Sequence, residues 1–277
     1  MHVRAFLALP VALVLAGCDM SLGHLAGRAT DEWTHTYPLS PGGEIRIGNT
    51  NGRVEVEGVD GSTVEVRAER IARAATDAGA RELLPRIKIS EDVKPDRIAI
   101  ETERMSGIMI GIGIEVRYHV KAPKNAVVDV TTTNGGIALN DLAGKVTART
   151  TNGGVQAKNL AGAVEARSTN GAVNVDLASV GSERVVLRTT NGGVTLSVPE
   201  RAKADISASW TNGGINLSNV KMDVIDRSRR SFEGRMNGGG APIVLHTTNG
   251  GIRIRNRSDA VESTSDDPDH VAVRERR

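Results

Sequence analysis

The chain reads as all-β: a β-solenoid of stacked repeat coils with a small α/β insertion near its N-terminal end. Three observations predict this. Thr-Asn-Gly recurs seven times, with its asparagine at Asn51, Asn134, Asn152, Asn170, Asn191, Asn212 and Asn249. Apolar and polar residues alternate on both sides of each copy, the period of a strand with one buried face. Glycine is abundant, at 31 of 277 residues, and much of it sits in this one motif.

Aligning the copies on their asparagine exposes the register. Six residues before it stand Ile45, Val128, Val146, Val164, Val185, Ile206 and Ile243, and four before stand Ile47, Val130, Ala148, Ala166, Leu187, Ala208 and Leu245. Three after stand Val54, Ile137, Val155, Val173, Val194, Ile215 and Ile252, and five after stand Val56, Leu139, Ala157, Val175, Leu196, Leu217 and Ile254. Each copy is therefore strand, turn, strand, and Asn-Gly readily takes the positive φ of a tight turn. A solenoid and an antiparallel meander of hairpins both fit. Identical residues at identical register favour the solenoid, because coil-on-coil stacking selects them. Stacked asparagines would then form an amide ladder along the turn. A second corner recurs at Leu142-Ala143-Gly144 and Leu160-Ala161-Gly162, and small residues such as Ala148, Ala157 and Ala166 suit a narrow interior.

The repeat domain spans 41–255, with an insertion over about 60–125. Within the insertion, Thr76 to Leu84 reads as a short helix capped by Thr76 or Asp77 and stopped by Pro85. Arg86 to Ser90 and Arg97 to Thr102 read as a hairpin turning at Lys94-Pro95-Asp96. Ile108, Ile110, Ile112 and Ile114 give one strand face made wholly of isoleucine, which suits core or edge covering. The polar stretch from about Asn219 to Gly240 reads as a loop. Residues 256–277 carry six acidic residues against four arginines and read as a disordered polar tail. Exposed strands at the ends of a solenoid are free to pair with another copy.

The N-terminus speaks of location. Ala5 to Leu15 is an apolar run behind Arg4, and the thirteen residues from Ala5 to Gly17 span only about 20 Å as a helix, short of the roughly 30 Å bilayer core. It reads as a secretory signal over residues 1–17. Leu15-Ala16-Gly17-Cys18 resembles the lipobox of bacterial lipoproteins, in which the cysteine sulfur takes a diacylglycerol and the chain is cut before it. Cys18 is the only cysteine, so no intrachain disulfide forms. Two or three acyl chains anchor a protein stably, at about 0.8 kcal/mol per buried methylene. Asp19 resembles the enterobacterial signal for retention at the inner membrane. The expected location is thus the inner membrane, facing the periplasm, with the outer membrane or cell surface as the alternative. Residues 18–40 would be a lipidated linker.

The Thr-Asn-Gly-Gly strand repeats, preceded by Val116-Arg117-Tyr118-His119-Val120-Lys121-Ala122-Pro123, resemble the bacterial putative-adhesin family of β-strand repeats, also called toastrack domains. The resemblance covers most of residues 40 to 255. It implies a right-handed β-helix-like fold in an envelope protein, often linked to envelope-stress systems. It brings no catalytic residues.

Composition and motifs narrow the chemistry. Apolar residues at 39% and charged residues at 25% exclude wholesale disorder. Thirty-five basic against 33 acidic side chains are too balanced for a nucleic-acid binder, and six aromatics are too few for base-stacking platforms. No Gly-x-Ser-x-Gly elbow is present. The six histidines are scattered, so no zinc site is expected, and Asp129, Asp141 and Asp176 share no calcium-roll register. Asp129 and Glu165 stand two coils apart, about 10 Å, beyond the roughly 6.5 to 9.5 Å of inverting glycosidases. No catalytic residue, metal or cofactor is therefore assigned.

One outward column carries a candidate site. Three residues before the asparagine stand Arg149, Arg167 and Arg188 on consecutive coils, with Ser209 and then His246 beyond. Stacked at about 5 Å, these guanidiniums would make a basic stripe for the phosphates or carboxylates of an anionic glycan or lipid head group. The plainer reading is a solvated face in which Glu165 relieves the repulsion. The expected function is a lipid-anchored, non-enzymatic binding or scaffolding module of the envelope, possessing a membrane partner through its anchor and an envelope protein, glycan or lipid as ligand. A surface adhesin is the alternative, and a polysaccharide-active β-helix enzyme the third reading.

Overall fold

The computed structural model describes residues 26–104 and 111–257. Cys18, Asp19, the signal segment, Ile108, Ile110 and the C-terminal tail lie outside the described residues.

The strands are β1 Gly27–Pro38, β2 Glu44–Asn51, β3 Val54–Val59, β4 Thr63–Ala74, β5 Ile89–Lys94, β6 Arg97–Thr102 and β7 Gly113–Pro123. They continue as β8 Val127–Asn134, β9 Ile137–Asn140, β10 Val146–Asn152, β11 Val155–Leu160, β12 Val164–Asn170 and β13 Val173–Leu177. The last are β14 Val185–Asn191, β15 Val194–Val198, β16 Ala204–Ser218, β17 Asp223–Arg227, β18 Ser231–Met236 and β19 Ala241–Asn256. One short helix, α1 Asp77–Leu83, begins at Thr76, whose side chain accepts from the Gly79 amide.

Pairing between repeats is parallel and in register, which decides for the solenoid over the meander. Before each asparagine the chain builds a first wall, ordered β5-β6-β2-β8-β10-β12-β14-β19-β16-β18-β17, with β19 and β16 contributing their first halves. After the asparagine it builds a second wall, ordered β1-β4-β7-β3-β9-β11-β13-β15-β19-β16, with the second halves of β19 and β16. The core lies between the walls. The inward places of the repeat are buried in every layer, except that Ile215 and Leu217 of β16 remain partly exposed.

Four readings change. The residues read as an insertion in the repeat continue the stack, because β6 stacks on β2 and β7 on β3, forming an eighth layer without the Thr-Asn-Gly motif. Its Ile98, Ile100, Tyr118 and Val120 enter the common core. The hairpin strand read at Arg86 to Ser90 is formed instead by Ile89–Lys94, since Leu84–Arg86 makes a 3-10 turn. The stretch read as a loop from Asn219 contains β17 and β18, an antiparallel hairpin that covers the first half of β16 and buries Phe232. Finally, β1 occupies part of the stretch read as linker and pairs with β4 along its whole length.

The turn explains the motif. Each asparagine side-chain amide donates to the next, as in Asn152 to Asn134 at 2.8 Å, Asn170 to Asn152 at 2.9 Å and Asn191 to Asn170 at 2.9 Å. The ladder runs unbroken through all seven, because Asn134 donates to Asn51, Asn249 to Asn191 and Asn212 to Asn249. Its last two rungs show that the layers do not follow chain order: β19 lies between β14 and β16. The positive φ of the turn falls on the glycine, 158° at Gly153 and 159° at Gly171, and not on the asparagine. Two residues before the asparagine, an inward hydroxyl seals the corner, as where Thr150 donates to the Gly135 carbonyl and Thr189 to that of Gly171.

Candidate functional site

Inward places on the first wall fall six, four and two residues before the asparagine, so the outward places fall five, three and one before it. The middle outward column reads Thr131, Arg149, Arg167, Arg188, His246 and Ser209 in spatial order. The three arginines are adjacent as expected. His246 stands directly beside Arg188 with Ser209 outermost, the reverse of chain order, because β19 is inserted before β16. The threonines of the motif, among them Thr151, Thr169, Thr190 and Thr248, form the column alongside. Together these residues, Ser209 excepted, line a shallow groove of about 420 Å³ on the outer face.

The arginines are not equivalent. Arg149 reaches Asp129 at 3.6 Å and Glu165 at 2.9 Å, and Arg167 reaches Glu165 at 2.9 Å. Both carboxylates come from the outermost of the three outward columns. On the Arg188 layer that column supplies Val186, and on the next layer Val244. Among the described residues Arg188 has no ion-pair partner, and its Nε is buried without a hydrogen bond. His246 shares a 2.9 Å hydrogen bond with the Ser209 hydroxyl. The groove thus has a neutralised end and a cationic end.

Glu165 does not suit proton donation. Burial pushes its pKa up, but the neighbouring Arg149 and Arg167 charges and their hydrogen bonds outweigh this and hold it below the ordinary glutamate value. Asp129 and Glu165 both grip Arg149, which stands between them. That arrangement is an ion-pair cluster.

A second concavity, about 560 Å³, lies on the other wall among β1, β3, β4 and β7. Sequence reading gave no sign of it, since it depends on β1 and β4 pairing antiparallel beside β7 and on β7 stacking on β3. Several of its carboxylates are already engaged: Asp31 with Arg70 at 2.6 Å, Glu32 with Arg67 at 2.7 Å and Glu55 with His119 at 2.9 Å. Among the described residues no group of three or more metal-ligand side chains occurs. No described helix is long and apolar enough to cross a membrane.

The Toastrack DUF4097 family model matches residues 115–255, from within β7 to within β19. Comparison with curated proteins gives no match. Among solved structures, a putative cell adhesion protein from Clostridium sporogenes ATCC 15579 is similar at 11% identity and a TM-score of 0.48, over 82% of this chain and 100% of that one. A putative adhesin from Bacteroides fragilis NCTC 9343 is similar at 12% identity and a TM-score of 0.37, over 82% and 97%. A putative lipid binding protein from Parabacteroides distasonis ATCC 8503 follows at 12% identity and a TM-score of 0.30, over 82% and 96%.

Proposed function

The chain belongs to the Toastrack DUF4097 family, and from that premise we propose that it is a lipid-anchored envelope protein whose solenoid acts as a non-enzymatic binding module for anionic groups. The anchor is Cys18, and Asp19 holds the protein at the inner membrane with its body in the periplasm. There it serves as a scaffold or sensor in envelope stress. The Leu-Ala-Gly-Cys signal supports the anchor. The single observation that carries the binding reading is Arg188, a guanidinium in a groove with no carboxylate among the described residues to neutralise it. Phosphate or carboxylate accepts from guanidinium in charge-assisted hydrogen bonds, and the threonine hydroxyls alongside can serve either as donors or as acceptors.

Anchoring is tested by labelling with fatty acid in living cells. Cys18→Ser is expected to abolish incorporation and to release the protein from the membrane fraction. Unchanged labelling would remove the anchor.

Binding is tested with the detergent-solubilised full chain against two probes, a uronic-acid polysaccharide and vesicles containing an anionic lipid. Replacing Arg149, Arg167 and Arg188 together with Ala is expected to weaken binding at least about tenfold and to flatten its salt dependence. Arg188→Ala should account for most of that loss. Glu165→Gln should act in the opposite direction, tightening binding about twofold to fivefold, because it frees Arg167 and leaves Arg149 with Asp129 alone. Equal binding by all variants would eliminate the groove as the site. The probe that responds tells whether glycan or head group is the source of the anion.

A further inference from the structure

The end of the solenoid beyond β16 is stepped. The first wall continues for two more strands, β18 and β17, whereas the second wall stops at β16. The segment Asn212–Ser218 of β16 pairs only with β19, so its outer edge has no ladder partner among the described residues. Ile215 and Leu217, whose counterparts are buried in every other layer, are only partly buried here, as are Val220 and Met222 of the following segment. This edge carries no charged side chain from Trp210 to Asn219. Natural edge strands are commonly protected by charge. At the opposite end of the molecule β5 has that protection, in Glu91, Asp92 and Lys94.

The projecting strand β17 is the complement. All five of its residues are exposed, and Val224 and Ile225 are each 56% exposed. Lys221, Asp223, Asp226 and Arg227 have no ion-pair partner within the described chain, and they carry balanced charge.

We propose that this end is a homodimer interface in which β17 of each copy pairs with Asn212–Ser218 of the other. The step makes the surface self-complementary. A two-fold axis perpendicular to the solenoid, passing through the asparagine corner, exchanges the two walls. Each overhang of two strands then enters the other copy's notch, and both open edges are filled at once. The strand directions agree. First-wall strands run toward the corner, second-wall strands run away from it, and β17 runs parallel to the first half of β16, since both are antiparallel to β18. The new pairing is therefore antiparallel. It covers Val224, Ile225, Ile215 and Leu217, and it sets the charges of one β17 beside the Lys221 region of the other copy. Such an isologous contact closes as a dimer and does not propagate.

The test uses the full chain in a density-matched detergent. Sedimentation equilibrium is expected to give a dimer. Val224→Asp with Ile225→Asp should yield monomer, with a dissociation constant raised more than tenfold. Val93→Asp, at the protected end, should leave the dimer intact. The β17 side chains are exposed, and an unchanged circular dichroism spectrum and melting curve would show that the double variant still folds. Pairing is read separately by co-expressing two differently tagged chains, one with Asn216→Cys and one with a cysteine at 224, 225, 226 or 227 in turn. A mixed-tag disulfide band is expected at one or more of these positions, and only when both engineered cysteines are present. A monomeric wild type, a larger open oligomer, or bands joining only like positions would each overturn the proposal.

Discussion

Gly171→Ala is expected to prevent the chain from reaching its folded state, at a cost above about 4 kcal/mol. A Cβ at that position would stand 2.1 Å from the Gly153 carbonyl oxygen and 2.5 Å from its carbon. Those atoms cannot withdraw. The Gly153 amide donates to the Asn170 carbonyl at 3.0 Å, and its carbonyl accepts from the Ser168 hydroxyl at 2.8 Å. Residue 171 also sits at φ 159°, so the conformational and steric penalties fall together. The matched control is Gly214→Ala, where an added Cβ meets nothing within 4 Å. It should change stability by no more than about 1 kcal/mol. The same place in the Asn170 layer already holds Ala172. Urea unfolding of both variants is the measurement, and a Gly171→Ala protein as stable as the control would refute this account of the turn.

Asn49→Ala should cost about 2–4 kcal/mol, the second largest effect expected. Asn49 takes the inward place that threonine or serine fills in most other layers, and it is 7% exposed. Its Nδ2 donates to the Val116 carbonyl at 2.8 Å and to the Gly52 carbonyl at 3.2 Å. Its Oδ1 accepts from the Thr102 hydroxyl, which in turn bonds the buried Tyr118 hydroxyl at 2.7 Å. The Tyr118 phenol is pushed up to about 12, chiefly by burial, so it stays protonated and needs that partner. Alanine would remove these Asn49 bonds together and leave the Thr102–Tyr118 pair without its Asn49 acceptor. Asn49→Thr, which installs the ordinary residue of the register, should recover the corner bond but not the Thr102 contact. Its loss should fall between those of wild type and alanine. Equal melting midpoints for the two variants would show that the longer amide has no special role.

The repeat made much of this architecture legible. Twenty-eight inward places were readable from spacing alone, and only Ile215 and Leu217 depart, because they lie in a terminal layer on which no further strand among the described residues pairs on that wall. The asparagine ladder and the Thr76 cap were readable for the same reason, as each depends on local chemistry. The order of the layers was not. Every copy offers the same edge and the same inward pattern, so nothing local tells β14 to accept β19 in preference to β16. The β6 and β7 layer was hidden by its lack of the motif, and β17 by having no buried face. The arginine column was visible in the alignment. The contrast between Arg149 and Arg188 depends on Val186 and Val244 becoming neighbours across a long stretch of chain.

The interleaving of β19 between β14 and β16 has a consequence for how such a protein is made and how it can change. A solenoid stacked in chain order could fold progressively as it emerges, and it could lengthen by duplicating a coil at its tip. Here the second half of β16 must wait, without its neighbour, until β19 has been synthesised and threaded into place. At the other end the β2 and β3 layer likewise receives its outer neighbour from residues made later. Both tips are therefore latched by distant sequence. Removal of the final strand would strand β16 along with it, and gain of new coils is open only to the middle of the stack, where β8 to β15 follow one another in simple succession.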